Sequence, residues 1–207
     1  MKAVRLDEFE RVPVFGTLVW RPVRKELGVT AFGINAYTAA EAGDEVVEDH
    51  DERRLGHEEV YVVLSGHATF TVDGVEVDAP AGTFVYLDDP VQRRHAVARE
   101  PRTTVLAIGG RPGAHETSAW EYYFSALPHM RAGEYARARA IVEEGLREKP
   151  EHPALLYALA CAEAQDGARD EALEHLRTAV ILMPDLRESA REDEDFDSIR
   201  DDPPFPT

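Results

Sequence analysis

With 207 residues and 43% hydrophobic side chains, the chain suits one to two small domains, each able to build a core. Its formal net charge of −17, from 23 Lys and Arg against 40 Asp and Glu, disfavours nucleic acid and anionic membrane surfaces, both of which need clustered cations on one face. One cysteine, Cys161, excludes an intramolecular disulfide; no apolar run reaches transmembrane length and the opening MKAVRLDEFERVPVFG has no signal-peptide core, so a cytoplasmic protein is expected.

The first half reads as short strands: residues 17–23, 29–39, 82–87, 95–98 and 103–110, punctuated by Gly, Pro and Asp turns. Between them lies the clearest local signal, residues 56–74 (GHEEVYVVLSGHATFTVDG). Glu59, Tyr61 and Val63 alternate with Val60, Val62 and Leu64, so the two sets project to opposite faces, and His57 falls on the face of Glu59. Asp73 and Gly74 then join two strands in a two-residue type I' hairpin.

These residues resemble the cupin superfamily, whose small jelly-roll barrels commonly hold one divalent metal on three histidines and a glutamate. Glu59 and Gly66 have the spacing that closes the first cupin motif, with Gly43 and His50 standing for its opening glycine and first histidine. Glu52 occupies the place of the second histidine, and the loop from Arg53 to Glu58 is longer than usual. Gly82, Pro90 and His95 follow the order of the second motif, although Gln92 and Arg99 replace its glycine and asparagine. The resemblance covers about half of the chain and implies a divalent metal (Fe, Mn, Zn or Ni) on His50, His57, Glu59 and His95, with Glu52 as a substitute oxygen ligand or an orienting group.

Each of these residues also has a plainer reading. His57 is then a loop histidine, His50 a solvated member of the acidic run EVVEDHDE, His95 a half-exposed strand residue, and Glu59 a buried carboxylate that needs a partner such as Arg93. A free Arg93 would instead favour an anionic substrate, with Tyr61, and beside it Tyr37 and Tyr86, walling the interior. His67 ranks below the other histidines as a ligand.

The second half has a different period. Gly133, Ala138, Gly145 and Pro150 recur 34 residues later as Gly167, Ala172, Ala179 and Pro184, which resembles the helix-turn-helix unit of tetratricopeptide repeats. Ser118 and Glu121 have capping-box spacing at the start of the first helix, and Pro128 is expected to kink or shorten it. Two repeats leave apolar ends: the acidic tail, with Phe196 and Ile199 at helical spacing, is expected to cover one, and the barrel or the second copy of an expected homodimer the other. Cys161, between Ala160 and Ala162, reads as a small packed side chain.

The expected architecture is therefore an all-β cupin-like jelly-roll barrel (1–108), a linker (109–117), and an all-α repeat domain with its acidic tail (118–207). Two functions are compatible with it. One is a metal-binding barrel with a small-molecule pocket, which as an enzyme would be an oxygenase, isomerase or lyase acting on a small polar substrate. The other is a non-catalytic barrel fused to a helical adaptor that takes a protein or peptide partner. Fold alone does not choose between them.

Overall fold

The computed structural model describes residues 2–14 and 17–206, and the chain divides between His115 and Glu116 into two units with separate cores.

Unit 1 opens with a 3-10 turn (Leu6–Glu8), then β1 (Val12–Pro13), β2 (Val19–Arg21) and a short helix α1 (Val23–Leu27). The strands β3 (Gly33–Thr38), β4 (Glu45–His50), β5 (Glu58–Ser65), β6 (His67–Val72), β7 (Val75–Pro80), β8 (Phe84–Leu87), β9 (Arg94–Ala98) and β10 (Thr104–Gly110) follow. Among the described residues they form two antiparallel sheets, ordered β1-β2-β3-β10-β5-β8 and β4-β9-β6-β7. The inward-facing residues of both sheets, among them Tyr61, Val63, Leu87 and Val105 from the first and Val46, Phe70 and Ala96 from the second, close one core. Each such large apolar side chain contributes about 1.5–3 kcal/mol by leaving water.

The expected hairpin is present: Val72 pairs with Val75, and the intervening Asp73 and Gly74 have φ of 47° and 82°. Two elements differ from the sequence reading. Pro22 ends the strand expected over 17–23, and Val23 begins α1, which with Phe9 covers the outer face of β3 at Ala36. The acidic run read as solvated is β4, a strand anchored by buried Val46 and Val47 while Glu48 and Asp49 face water. The linker also begins later than expected, because Gly109 and Gly110 are the last residues of β10.

Unit 2 comprises α2 (Ala119–Arg131), α3 (Tyr135–Glu148), α4 (Pro153–Asp166), α5 (Arg169–Leu182), α6 (Leu186–Glu192) and a 3-10 turn (Glu194–Phe196). The repeated glycines 133 and 167 end helices in the left-handed region. The repeated small residue Gly145 lets α2 approach α3 so closely that a Cβ there would stand 2.7 Å from the Tyr122 ring. At the head of α2, the Ser118 side chain accepts a hydrogen bond from the backbone N–H of Trp120. Helix α2 continues through Pro128, whose exposed position leaves water to take the carbonyl it orphans, so the expected shortening does not occur. Phe196 and Ile199 are fully buried against α4 and α5, closing the end of the array.

One ion pair in this unit carries a pH dependence. Glu163 is 2% exposed and accepts a hydrogen bond from His175 Nδ1 at 2.7 Å, with Arg139 Nη2 at 3.7 Å. That bond raises the His175 pKa above the ordinary 6.5, against an opposing effect of burial. Its stabilisation is fully present below 6.5 and is lost as pH rises through the raised folded value. Denaturant unfolding followed by the helical circular-dichroism signal should therefore show unit 2 losing stability across that window. His175→Gln, which keeps a neutral donor, should flatten the profile.

Candidate functional site

The side chains that converge lie at one end of the barrel interior, and the register of four strands places them there. On β5, Glu59 and Tyr61 point inward by simple alternation. Across β10, Glu59 faces Gly109, where a Cβ would stand 3.2 Å from Glu59 Cγ; the glycine makes room for the carboxylate. On β4, shifts in pairing with β9 put His50 opposite Arg94, after Val47 opposite Ala96. Glu52 enters from the loop after β4, held by its backbone N–H donating to Pro90 O at 2.8 Å and by turn hydrogen bonds from Leu55 and Gly56 to its carbonyl.

His50 Nδ1 lies 2.7 Å from the backbone carbonyl of Glu48, an acceptor only, so Nδ1 carries the proton and Nε2 is left to face the cluster. From Nε2 the distances are 3.7 Å to Glu59 Oε2, 3.9 Å to Glu52 Oε1 and 3.4 Å to the Tyr61 hydroxyl. Tyr61 donates a short hydrogen bond to Glu59 Oε2. Arg94 Nε stands 3.6 Å from the same oxygen. His57 Nδ1 is 3.6 Å from Glu52 Oε2, an oxygen that is buried with no hydrogen-bond donor.

These neighbours shift the protonation of the cluster. Glu59 raises the His50 pKa, against burial. Burial, then the Glu59 charge, raises Glu52. Burial alone would raise Glu59, but His50, Tyr61 and Arg94 together hold it below the usual carboxylate value. Burial pushes the Tyr37 phenol up to about 12 and raises Tyr61 further, so both phenols stay neutral and Tyr61 is a donor to Glu59.

Two residues of the expected set, His50 and Glu59, thus meet, with Glu52 as the third member. His57 lies beside Glu52 and is not among the three residues whose ligand atoms converge. His95 points away from the core: β9 buries Arg94, Ala96 and Ala98, so His95 lies on the opposite face with Arg93. Arg93 is exposed and forms a two-point ion pair with Asp49, both bonds 2.7 Å, so it neither neutralises Glu59 nor faces the interior. Tyr61 is buried in the cluster and Tyr37 packs beside the core, whereas Tyr86 is 58% exposed on the outer face, where its hydroxyl donates to Glu58. His67 is engaged by Asp78 at 2.6 Å. Arg94, the interior cation, was legible only as one step of β9 away from the residue singled out.

A groove of about 270 Å³, lined by Phe32, Val60, Tyr86, Ile108 and Arg111, runs along the larger sheet and reaches Glu59 and Gly109 at the edge of this convergence. In unit 2, Cys161 is buried with its Sγ 4.0 Å from Asp193 Oδ2, which also accepts from Tyr157, and burial raises the thiol well above its ordinary pKa. That thiol is a packing group and not a nucleophile. No helix among the described residues is long and apolar enough to cross a membrane.

Residues 129–191 match the family described as tetratricopeptide repeat. Unit 2 is therefore a helical-repeat region of that type, following an all-β barrel. No curated protein matches the chain significantly. Among solved structures, unit 1 is similar to a cupin protein from Bacteroides fragilis (24% identity, TM-score 0.40, covering 53% of this chain and 90% of that one). It is similar also to a sugar phosphate isomerase of the cupin superfamily from Silicibacter pomeroyi (20%, TM-score 0.45, 53% and 76%) and to KdgF from Halomonas sp. (15%, TM-score 0.42, 51% and 88%).

Proposed function

We propose that the barrel is a small-molecule-binding domain that holds a divalent metal on His50 Nε2, Glu52 and Glu59. One observation carries this reading: these three residues offer ligand atoms all within 4.8 Å of one another, in a cluster where two carboxylates face one guanidinium. The residues fit such an ion. The Glu48 carbonyl holds the imidazole in the tautomer a metal requires, and the donorless Glu52 oxygen is an acceptor awaiting a cation. One nitrogen and two carboxylates suit Mn, Fe or Zn better than a soft ion, with Ni as a further imidazole-binding candidate. A metal bound here would act as a Lewis acid on a substrate oxygen or on water. The protein's own groups supply the rest: Tyr61 donates to Glu59, Arg94 offsets its charge, and Tyr37 gives the interior an aromatic wall.

The test is metal loading followed by elemental analysis. The intact protein should retain one equivalent, and His50→Ala and Glu52→Gln should each weaken it by more than the about 10–100-fold that loss of an outer partner costs. His57→Ala, which removes a neighbour of Glu52, should cost no more than that outer-partner loss, and His95→Ala should bind as the parent does. Loss in His95→Ala with retention in His50→Ala would remove the proposal.

The helical unit supports a second role as a protein-interaction surface. Helix α2 displays a cluster of Trp120, Tyr123 and Phe124, of which Trp120 and Phe124 are about 60% exposed. A full-length Trp120→Ala/Phe124→Ala variant should lose partners captured by the parent chain, and an unchanged set of captured proteins would exclude this surface.

A further inference from the structure

We propose that the ligand taken into the barrel carries an oxyanion, a carboxylate or phosphate group, and that the Arg94 guanidinium anchors it. This rests on the metal-site reading above for its charge balance, but its geometry stands independently.

Arg94 is 0% exposed, and none of its Nε, Nη1 and Nη2 atoms has a hydrogen-bond acceptor. A buried guanidinium normally has its planar fork filled, because each unmade charged hydrogen bond carries a desolvation cost. Here the nearest carboxylate oxygen, Glu59 Oε2, is 3.6 Å from Nε, which is an electrostatic contact and too long for a hydrogen bond. That oxygen is already taken by the Tyr61 hydroxyl. Five N–H donors therefore stay open beside the cluster, in the fork geometry that matches a carboxylate or phosphate at two points.

Access comes from the rim. The His50 side chain keeps 28% of its surface exposed and Glu52 and Glu59 keep 13% and 12%, so solvent reaches the cluster that includes Glu59, the carboxylate 3.6 Å from the guanidinium. Charge points the same way. Glu52 and Glu59 against Arg94 leave one net negative charge; a divalent cation turns this into one net positive charge, which a monoanionic group neutralises. A neutral ligand would leave both that charge and the guanidinium donors unanswered.

Calorimetric titration of the full chain, with and without loaded Mn, tests this with propionate, propionamide and inorganic phosphate as probes. Metal content and far-UV circular dichroism are measured on every sample. Propionate or phosphate should bind at least about tenfold more tightly than propionamide, and the better of the two identifies the oxyanion. Arg94→Lys, which keeps the charge but loses the fork, should weaken that anion by about tenfold or more without changing metal content. Arg94→Gln should abolish the preference over the amide. Equal binding of propionate and propionamide by the loaded parent chain, or unchanged anion binding in a folded Arg94→Lys variant, overturns the inference and leaves the metal reading standing. If Mn fails to load but an anion still binds through Arg94, the metal reading falls and the anchor remains.

Discussion

Arg94→Met is expected to destabilise the barrel by about 3–5 kcal/mol, and adding Glu59→Leu should restore most of that loss. The reasoning is electrostatic. Arg94 and Glu59 are both sequestered, 0% and 12% exposed at the side chain, with 3.6 Å between Nε and Oε2. Removing the guanidinium leaves a carboxylate in a low-dielectric interior with only Tyr61 and His50 to offset it, and Glu59→Leu alone strands the cation in the same way. Replacing both by apolar groups of similar volume removes both penalties together. Denaturant unfolding of the two single variants and the double variant gives the coupling directly. Additive effects, with each single change costing under about 1 kcal/mol, would show that the two charges are independently solvated and would contradict the geometry on which the site rests.

The second large effect concerns the acidic tail. Phe196→Ala should cost the helical unit about 3–5 kcal/mol, as large-to-small changes in a packed core do. Phe196 is 0% exposed, stands edge-on to Tyr157 with ring centroids 5.3 Å apart, contacts Phe205, and packs with Ala160, Leu173 and Leu176. The segment around it is anchored as well: Asp193 accepts from Tyr157, and Arg169 makes a two-point ion pair with Asp202. Two repeats with an unburied end are marginal, so the tail is part of the fold. Unfolding of the full chain followed by its helical signal measures the effect; a change within about 0.5 kcal/mol, typical of a surface substitution, would make the tail an appendage.

What could be read in advance differed sharply between the two halves. In the helices, a period of 34 residues and small residues at fixed offsets are local properties of the chain, and Gly145 against Tyr122 shows the close packing they permit. In the barrel, the β6-β7 hairpin and the inward set Glu59, Tyr61 and Val63 were legible because one strand's alternation needs no partner. The β4 strand was hidden because its outward side is acidic and its buried pair, Val46 and Val47, breaks the alternation. His95 was singled out by its distance from Pro90, yet facing on β9 is decided by pairing, and a one-residue difference exchanges Arg94 for His95 in the interior.

The amino-acid sequence by itself therefore determined the two-part architecture, the repeat register, the Asp73-Gly74 turn and the inward direction of Glu59, all of which follow from periodicity and turn chemistry within a few residues. Tertiary structure alone decided that Arg94, and not His95 or Arg93, joins Glu59 in the interior. The irregular pairing of β4 with β9 sets His50 beside Arg94, the Pro90 carbonyl holds Glu52, and Gly109 clears the space between sheets. Those placements depend on strands far apart in the chain, whose relative register no local spacing encodes.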